Sequence, residues 1–342
     1  IREVFEMRHL LVTGGAGFIG SNFVHHMLES YPEYRVVVYD KLTYAGRLEN
    51  LDRDVNNPRF AFEQGDICDP QRVREVIKKY DIDTIVNFAA ESHVDRSILD
   101  PDAFVKTDVY GAYVLCEAAK ELKLERLHHI STDEVYGPIP VGTFSETDPF
   151  RPTSPYASSK AGGELLVLSY FITYGLPITI TRGVNTYGPY QHPEKAIPLF
   201  ITNALDDIPL PLYGDGRQSR DRLYVTDHAR AVDVVLHHGK LGEAYNVAAN
   251  CERTNIEVAQ MIVEALGKPK SLIQSVKDRA AHDVRYALAT EKLEQLGWKP
   301  LVSFEEGFAE TVKWYTERQD WWRAIKDAEY QEYYRKQYIE RA

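Results

Sequence analysis

His9-Leu10-Leu11-Val12, followed at once by Thr13-Gly14-Gly15-Ala16-Gly17-Phe18-Ile19-Gly20, is the stretch that decides the fold. The four leading residues read as a short buried strand, and the amphipathic run over 21–29 reads as a helix. Between them Gly15, Gly17 and Gly20 meet the G-x-G-x-x-G spacing in the strand–turn–helix setting that the motif needs. Glycines here, Gly14 among them, let the backbone approach a pyrophosphate at the helix N-terminus, with Phe18 and Ile19 in the same turn. Unpaired N–H groups and the helix dipole favour anions there. Twenty residues past Gly20, Asp40 ends a second strand, Arg35-Val36-Val37-Val38-Tyr39. A carboxylate at that place hydrogen-bonds a ribose 2′-hydroxyl and repels a 2′-phosphate, so NAD is the expected cofactor. Lys41, next in the chain, tempers the preference over NADP.

The alternation continues outward. Phe60-Ala61-Phe62 leads to Gly65-Asp66-Ile67, with a helix predicted near 73–80 and a strand over 83–89. That strand ends in Ala90-Glu91-Ser92-His93-Val94-Asp95, and a long helix over 104–123 follows. Strands alternating with helices predict an α/β fold, a doubly wound parallel sheet of the Rossmann type. The cofactor domain is expected over 1–185, with a returning segment near 225–250. After Asn185, five prolines (189, 193, 198, 209 and 211) break the chain into short pieces. A smaller C-terminal substrate-binding domain is expected over 186–342, with helices over 256–266 and 304–322.

Two further segments carry candidate chemistry. Arg126-Leu127-His128-His129-Ile130 reads as a buried strand that opens into Ser131-Thr132-Asp133-Glu134-Val135-Tyr136-Gly137. Thr132, Asp133 and Glu134 therefore fall at a strand's carboxyl end, where open α/β sheets place their active groups. Tyr156-Ala157-Ser158-Ser159-Lys160 opens a helix predicted over 157–174, and its Tyr156 and Lys160 share a face. A nearby ammonium is expected to lower a tyrosine pKa from about 10 toward neutrality, making a general base. Among 22 tyrosines one such pair means little without a nicotinamide site. The glycine stretch supplies that site.

Composition bounds the rest. The chain has 342 residues, and its net charge of −11 argues against a phosphate-backbone partner. Cys68, Cys116 and Cys251 show no metal-like spacing and no framework of pairs, so no metal and a reduced, cytoplasmic location are expected. The paired histidines at 25–26, 128–129 and 237–238 do not face one ligand. No run approaches the roughly 18 apolar residues of a membrane span, and nothing before the first strand reads as a signal peptide. Met7 is the expected natural start, with residues 1–6 an extension. Arg217, Arg220 and Arg222 cluster in a way that suits a diphosphate. The aromatic tail, Trp314, Trp321, Trp322, Tyr330, Tyr333, Tyr334 and Tyr338, reads as packing or an oligomer contact and not as a base-stacking platform.

Three longer strings carry a resemblance. Ala89-Ala90-Glu91-Ser92-His93-Val94-Asp95-Arg96-Ser97 is the first, and the Ser131 to Gly137 string is the second. Tyr187-Gly188-Pro189-Tyr190-Gln191-His192-Pro193-Glu194-Lys195 is the third. With the glycine turn and Tyr156-x-x-x-Lys160 they resemble the extended short-chain dehydrogenase/reductase superfamily, and more narrowly the dTDP-glucose 4,6-dehydratases. The likeness runs over 7–322, and Asp133-Glu134 is its most specific element.

The resemblance implies an NAD-dependent lyase acting on a nucleotide-diphosphate hexose. Such an enzyme oxidises C4, eliminates water across C5 and C6 and returns the hydride to C6. Thr132, Tyr156 and Lys160 would form the oxidation triad, and Asp133 and Glu134 the dehydration pair. Asp40, Lys41, Leu42, Thr43, Asp66, Ile67, Ala89, Ala90, Thr107 and Thr186 would line the NAD. Ser92, Thr132, Asn185, Glu194, Lys195, Pro211, Tyr213, Arg220, Asn255, Arg279 and His282 would hold the sugar nucleotide. A homodimer formed through helices 104–123 and 157–174 is expected on the same ground.

This chain departs from the pattern at Thr186 and Asp108, where asparagine is usual, and at Arg222, where tryptophan is usual. Arg279-Ala280-Ala281-His282-Asp283 also replaces the usual Arg-Pro-Gly-His-Asp. These changes leave the nucleotide base and the fine sugar preference open. A UDP-sugar 4-epimerase or UDP-glucuronate decarboxylase shares the triad without needing both carboxylates. A non-catalytic NAD-binding sensor would have lost Tyr156 or Lys160.

Overall fold

Along the first strand Leu10 and Val12 join the hydrophobic cluster on one side, and Leu11 joins the cluster on the other. The next strand repeats this with Val36 and Val38 against Val37 and Tyr39. Side chains alternate with a period of two, so a strand apolar at every position must be covered on both faces. The computed structural model, which describes residues 8–278 and 283–340, meets that requirement. Helices Phe18–Ser30 and Val225–His238 cover one face. Helices Pro70–Lys79, Ala112–Leu122 and Pro155–Tyr174 cover the other.

The first six strands are β1 (His9–Thr13), β2 (Arg35–Asp40), β3 (Phe60–Gln64), β4 (Thr84–Asn87), β5 (Arg126–Thr132) and β6 (Ile178–Gly183). Four short strands follow, β7 (Thr186–Tyr187), β8 (Leu210–Tyr213), β9 (Ser219–Asp221) and β10 (Leu223–Tyr224). The last are β11 (Glu243–Val247), β12 (Glu252–Thr254) and β13 (Ile273–Val276). The main sheet has the order β3-β2-β1-β4-β5-β6-β11, parallel throughout. This is a doubly wound α/β sheet of the Rossmann type, whose order reverses between β1 and β4. Strand β8 pairs with β13, and β9 pairs antiparallel with β12, outside the main sheet. A second core, with Phe200, Ile262, Tyr315 and Trp322, lies among helices Ala196–Leu205, Asn255–Ala265 and Phe304–Glu317.

Some boundaries differ from expectation. Strand β5 runs past Ile130 because Ser131 and Thr132 still pair with Arg182 and Gly183 of β6. The helix expected over 304–322 breaks at Arg318 into Phe304–Glu317 and Gln319–Ile325. The break lets Trp321 donate to Asn50 at 2.9 Å and Trp322 to the Tyr315 carbonyl at 2.8 Å while both rings are buried.

One buried ion pair ties these layers together. Arg182 of β6 donates to Glu164 at 2.8 and 2.5 Å, and both side chains are buried. The same guanidinium reaches the Tyr136 hydroxyl and the Glu146 carbonyl, and Tyr136 donates to Asn246 of β11. Removing the cation strands a buried carboxylate, which costs about 3–5 kcal/mol. Arg182→Met is therefore expected to lower unfolding free energy by about that much in a denaturant titration. Adding Glu164→Gln should recover part of the loss. An unshifted midpoint in the single variant would show that the pair does not hold the sheet to its helix.

Candidate active site

A cavity of about 440 Å³ opens along the carboxyl ends of β1, β4 and β5 and reaches the β8 to β9 region. Its inner end is the glycine turn. Gly14 has φ +67, and a Cβ there would meet the backbone of Phe88 and Ala89 within 3 Å. A Cβ on Gly20 would strike the Gly14 carbonyl. Helix Phe18–Ser30 starts at Gly17 with no side-chain cap and no acid in its first turn. Its first N–H groups are thus left for an anion. Gly14, Gly17, Gly20, Phe18 and Ile19 line the cavity, whereas Gly15 packs beneath against Val38.

Asp40 lines the cavity and also braces the turn, accepting from the Ala16 amide at 3.0 Å and the Leu42 amide at 2.8 Å. That brace puts Leu42 at φ +57 with its side chain against the core, so Leu42, unlike Lys41 and Thr43, is not in the wall. Lys41 pairs with Asp66 at 2.7 Å, and Ile67, Ala89, Ala90, Thr107 and Thr186 complete this part of the lining. Among the described residues, Ser131 Oγ, His228 Nε2 and Arg222 Nε line the cavity region buried without a hydrogen-bond partner. Buried polar atoms of this kind call for a polar ligand. The shape and donor set fit a dinucleotide.

Local structure brings the reactive groups to the middle of the cavity. Thr132 caps a 3-10 turn, Asp133–Tyr136, accepting from the Glu134 amide and donating to Asp133 Oδ1 at 3.1 Å. Ser154 caps helix Pro155–Tyr174 with proline at its first position, which sets Tyr156 and Lys160 in the opening turns. Lys160 is buried and donates to the Ile130 carbonyl at 2.7 Å, and Tyr156 is hydrogen-bonded to Thr132. Gly163 lets the backbone of Asp108 come close enough to exclude any Cβ. Asp108 accepts from Ser159 at 2.6 Å and from the Glu91 amide at 3.1 Å.

The far end is basic. Arg220 and Arg222 line it, and Arg222 donates to Asn255 at 2.8 Å. Ser92, Asn185, Glu194, Lys195, Pro211 and Tyr213 also line the cavity, with Lys195 donating to the Ser92 carbonyl at 2.5 Å. Arg217 is instead exposed beside Asp215. Arg279 and His282 lie outside the described residues. Sequence reasoning missed Glu91, Phe200, His228 and Tyr338, all in the wall. Of these, only Glu91 lay inside a quoted motif.

A family model described as GDP-mannose 4,6 dehydratase matches residues 11–311. A dTDP-glucose 4,6-dehydratase of Neisseria meningitidis serogroup B is 47% identical over 348 residues, covering 95% of this chain and 98% of the relative. The crystal structure of the dTDP-glucose 4,6-dehydratase DesIV from Streptomyces venezuelae, with NAD and TYD bound, aligns with a TM-score of 0.91 at 47% identity. That alignment covers 93% of this chain and all of the other. A UDP-glucose 4-epimerase of Thermus thermophilus, in complex with NAD, aligns with a TM-score of 0.83 at 33% identity over 91% of this chain and 99% of its own.

Burial sets the protonation states. It pushes Asp133 up to about 8, Glu134's charge adds to this, and the Thr132 hydrogen bond and Arg220 oppose it. It pushes Tyr156 well above its ordinary value, with Glu134, Asp108 and Asp133 acting the same way and Thr132 against. This corrects the expectation of a tyrosine lowered by Lys160: the ammonium is directed at Ile130, and burial, with the neighbouring carboxyls acting the same way, raises the phenol instead. Burial lowers Lys160, opposed by Asp108 and Glu164.

Asp133 therefore holds its proton up to about pH 8, whereas an unfolded aspartate loses it near 4. Between those values the native state binds the extra proton, so stability falls as pH rises through that window. Asp133→Asn is expected to remove this part of the slope, read as denaturation midpoint against pH for parent and variant. A protonated-carboxyl infrared band present at pH 7 and absent in the variant is the matching signature. A parent lacking that band has an ionised Asp133.

Proposed function

The chain belongs to the family that this model describes, the dTDP-glucose 4,6-dehydratases among its members, and we propose that its substrate is dTDP-glucose. It is an NAD-dependent nucleotide-sugar 4,6-dehydratase, a hydro-lyase that yields a 4-keto-6-deoxy sugar. The observation that carries the assignment of roles is the Asp133-Glu134 pair. One carboxyl is buried and protonated at neutral pH, and the other lines the cavity half-exposed, beside Tyr156 and Thr132. Two neighbouring carboxyls held in different states suit one acid and one base.

NAD held along the glycine turn would supply a hydride acceptor and donor and, when oxidised, a positive charge in the cavity. Tyr156 takes the proton of the C4 hydroxyl as hydride leaves C4, while Thr132 holds the C4 oxygen and Lys160 counters the local negative charge. The 4-ketone acidifies the C5 hydrogen, which Glu134 removes. Asp133 gives its proton to the C6 hydroxyl, which departs as water. Hydride then returns to C6 and Glu134 returns a proton to C5. The C4-hydroxyl proton held by Tyr156 passes by way of Thr132 to Asp133, which restores both residues and leaves the loss of one water as the net change. Each positioned acid or base contributes about 10²–10⁴-fold.

The sheet half, with its returning strand β11, serves the cofactor in this reading, and the part from residue 186 on serves mainly the substrate. Arg220, Arg222 and Lys195 favour the diphosphate. A cytoplasmic location follows from a recycled NAD and three free thiols, and no helix among the described residues is long and apolar enough to cross a membrane. The protein pairs as a homodimer through the helices over 101–122 and 155–174. Exposed Tyr110, Tyr113, Leu165 and Ile172, the last 80% exposed, support that surface.

Light scattering at micromolar protein is expected to give twice the chain mass of 39.1 kDa, and a single-chain mass would remove the dimer. For the reaction, NMR of mixtures with dTDP-glucose or UDP-glucose should show the 4-keto-6-deoxy product from the former. Turnover of UDP-glucose alone would reassign the nucleotide. Glu134→Gln keeps size and hydrogen bonding but cannot accept a proton. With substrate it should still develop the absorbance of reduced nicotinamide, while product formation slows by roughly 10²–10⁴-fold. Tyr156→Phe should block the absorbance change itself. Product at the parental rate from Glu134→Gln would mean that Glu134 is not the C5 base.

A further inference from the structure

Residues beyond 311 lie outside the matched family model, yet the last described turns fold back onto the cavity. Helix Ala328–Tyr334 runs into a turn over Arg335–Ile339, from which Tyr338 joins the cavity wall. Its ring packs 5.7 Å from that of Tyr213, at 35°. Beside it Gln337, only 6% exposed, donates to Asp95 at 2.9 Å and to the Tyr213 hydroxyl at 2.6 Å. Tyr213 in turn donates to Asp95 at 3.0 Å, so amide, phenol and carboxylate close a ring of hydrogen bonds. Two more contacts seat the segment. Tyr330 donates to the Pro193 carbonyl at 3.1 Å. The Tyr333 ring lies 4.7 Å from the Arg96 guanidinium, which pairs with Glu194.

We propose that Tyr338 is a specificity-determining residue that forms, with Tyr213, an aromatic wall against the nucleoside of the substrate, and that Gln337 is the positioning residue for Tyr213. Both rings belong to the end of the cavity built by β8, β9 and the basic residues, away from the glycine turn. Two phenols fixed by partners present a rigid apolar face with little rotamer freedom left to lose, which suits a planar base. The aromatic tail thus does more than the packing or oligomer contact expected of it.

The proposal rests on the nucleotide-sugar reading above, and dTDP binding tests it apart from turnover. Titration calorimetry with dTDP, on protein retaining its cofactor, compares the parent with Tyr338→Ala, Tyr338→Phe and Gln337→Leu. Tyr338→Ala should weaken dTDP roughly tenfold, the scale of one base–aromatic contact. It should raise KM for the nucleotide sugar by a similar factor while kcat falls by less than about threefold. Tyr338→Phe should restore most of the affinity, and Gln337→Leu should fall between. Unchanged dTDP affinity in Tyr338→Ala overturns the proposal. So does a joint loss of kcat, cofactor content and melting temperature that Tyr338→Phe fails to rescue. If the parent turns over no nucleotide sugar, the functional reading fails by itself. The dTDP comparison then still decides Tyr338.

Discussion

A parallel sheet covered on both faces can show polar groups to a ligand only where its strands end. That constraint governs this molecule. β1, β4 and β5 end side by side, and the glycine turn, the Ala89-Ala90 approach and the Thr132-Asp133-Glu134 turn follow from those three ends. The same burial that stabilises the sheet then removes water from the groups standing at its edge. Asp133 and Asp108 keep protons that solvent would take, and Lys160 holds its proton less firmly. Packing and acid–base chemistry therefore share one cause.

Lys160 shows how a pairwise rule fails inside such a site. Spacing of four residues does put it on the face of Tyr156, but facing the same way is not the same as touching. Its ammonium satisfies the Ile130 carbonyl at the end of β5, which anchors the helix to the sheet. Tyr156 meanwhile is cut off from water, and the charge of Glu134 adds to the burial that opposes a phenolate. The protein alone thus keeps Tyr156 protonated, and a cation placed in the cavity beside it acts in the opposite direction. Base strength becomes a property of the loaded site.

Much of this was legible in local sequence. The glycine stretch, the acid after β2 and the strand ending at Thr132 are read within short windows, where period and turn chemistry suffice. What was not legible is long-range. Arg222, read as part of a diphosphate-suited cluster, meets Asn255 only because β9 and β12 pair antiparallel, a partner that the cluster does not announce. Gln337 meets Asp95 across 242 positions, which no periodicity announces. Leu42 was misplaced for a local reason of another kind, because the Asp40 carboxylate caps its amide and turns the residue left-handed. The break at Arg318 reflects tertiary packing of Trp321 and Trp322, which overrode a continuous helical pattern.

The dehydration pair owes its asymmetry to the turn that carries it. On a 3-10 helix successive side chains are about 120° apart, so adjacent carboxyls cannot share one environment. Thr132 fixes the start of that turn through its bonds to Asp133 and the Glu134 amide. Asp133 is thereby rotated into the protein, 3% exposed, and Glu134 toward the open cavity. Once one group is dry and the other is not, their mutual repulsion pushes the proton onto the dry one. The proposed acid and base are thus neighbouring residues of nearly the same chemistry, told apart mainly by burial. The backbone is shared with an epimerase fold, and in the proposed mechanism the turn after β5 is where this chain commits to removing water.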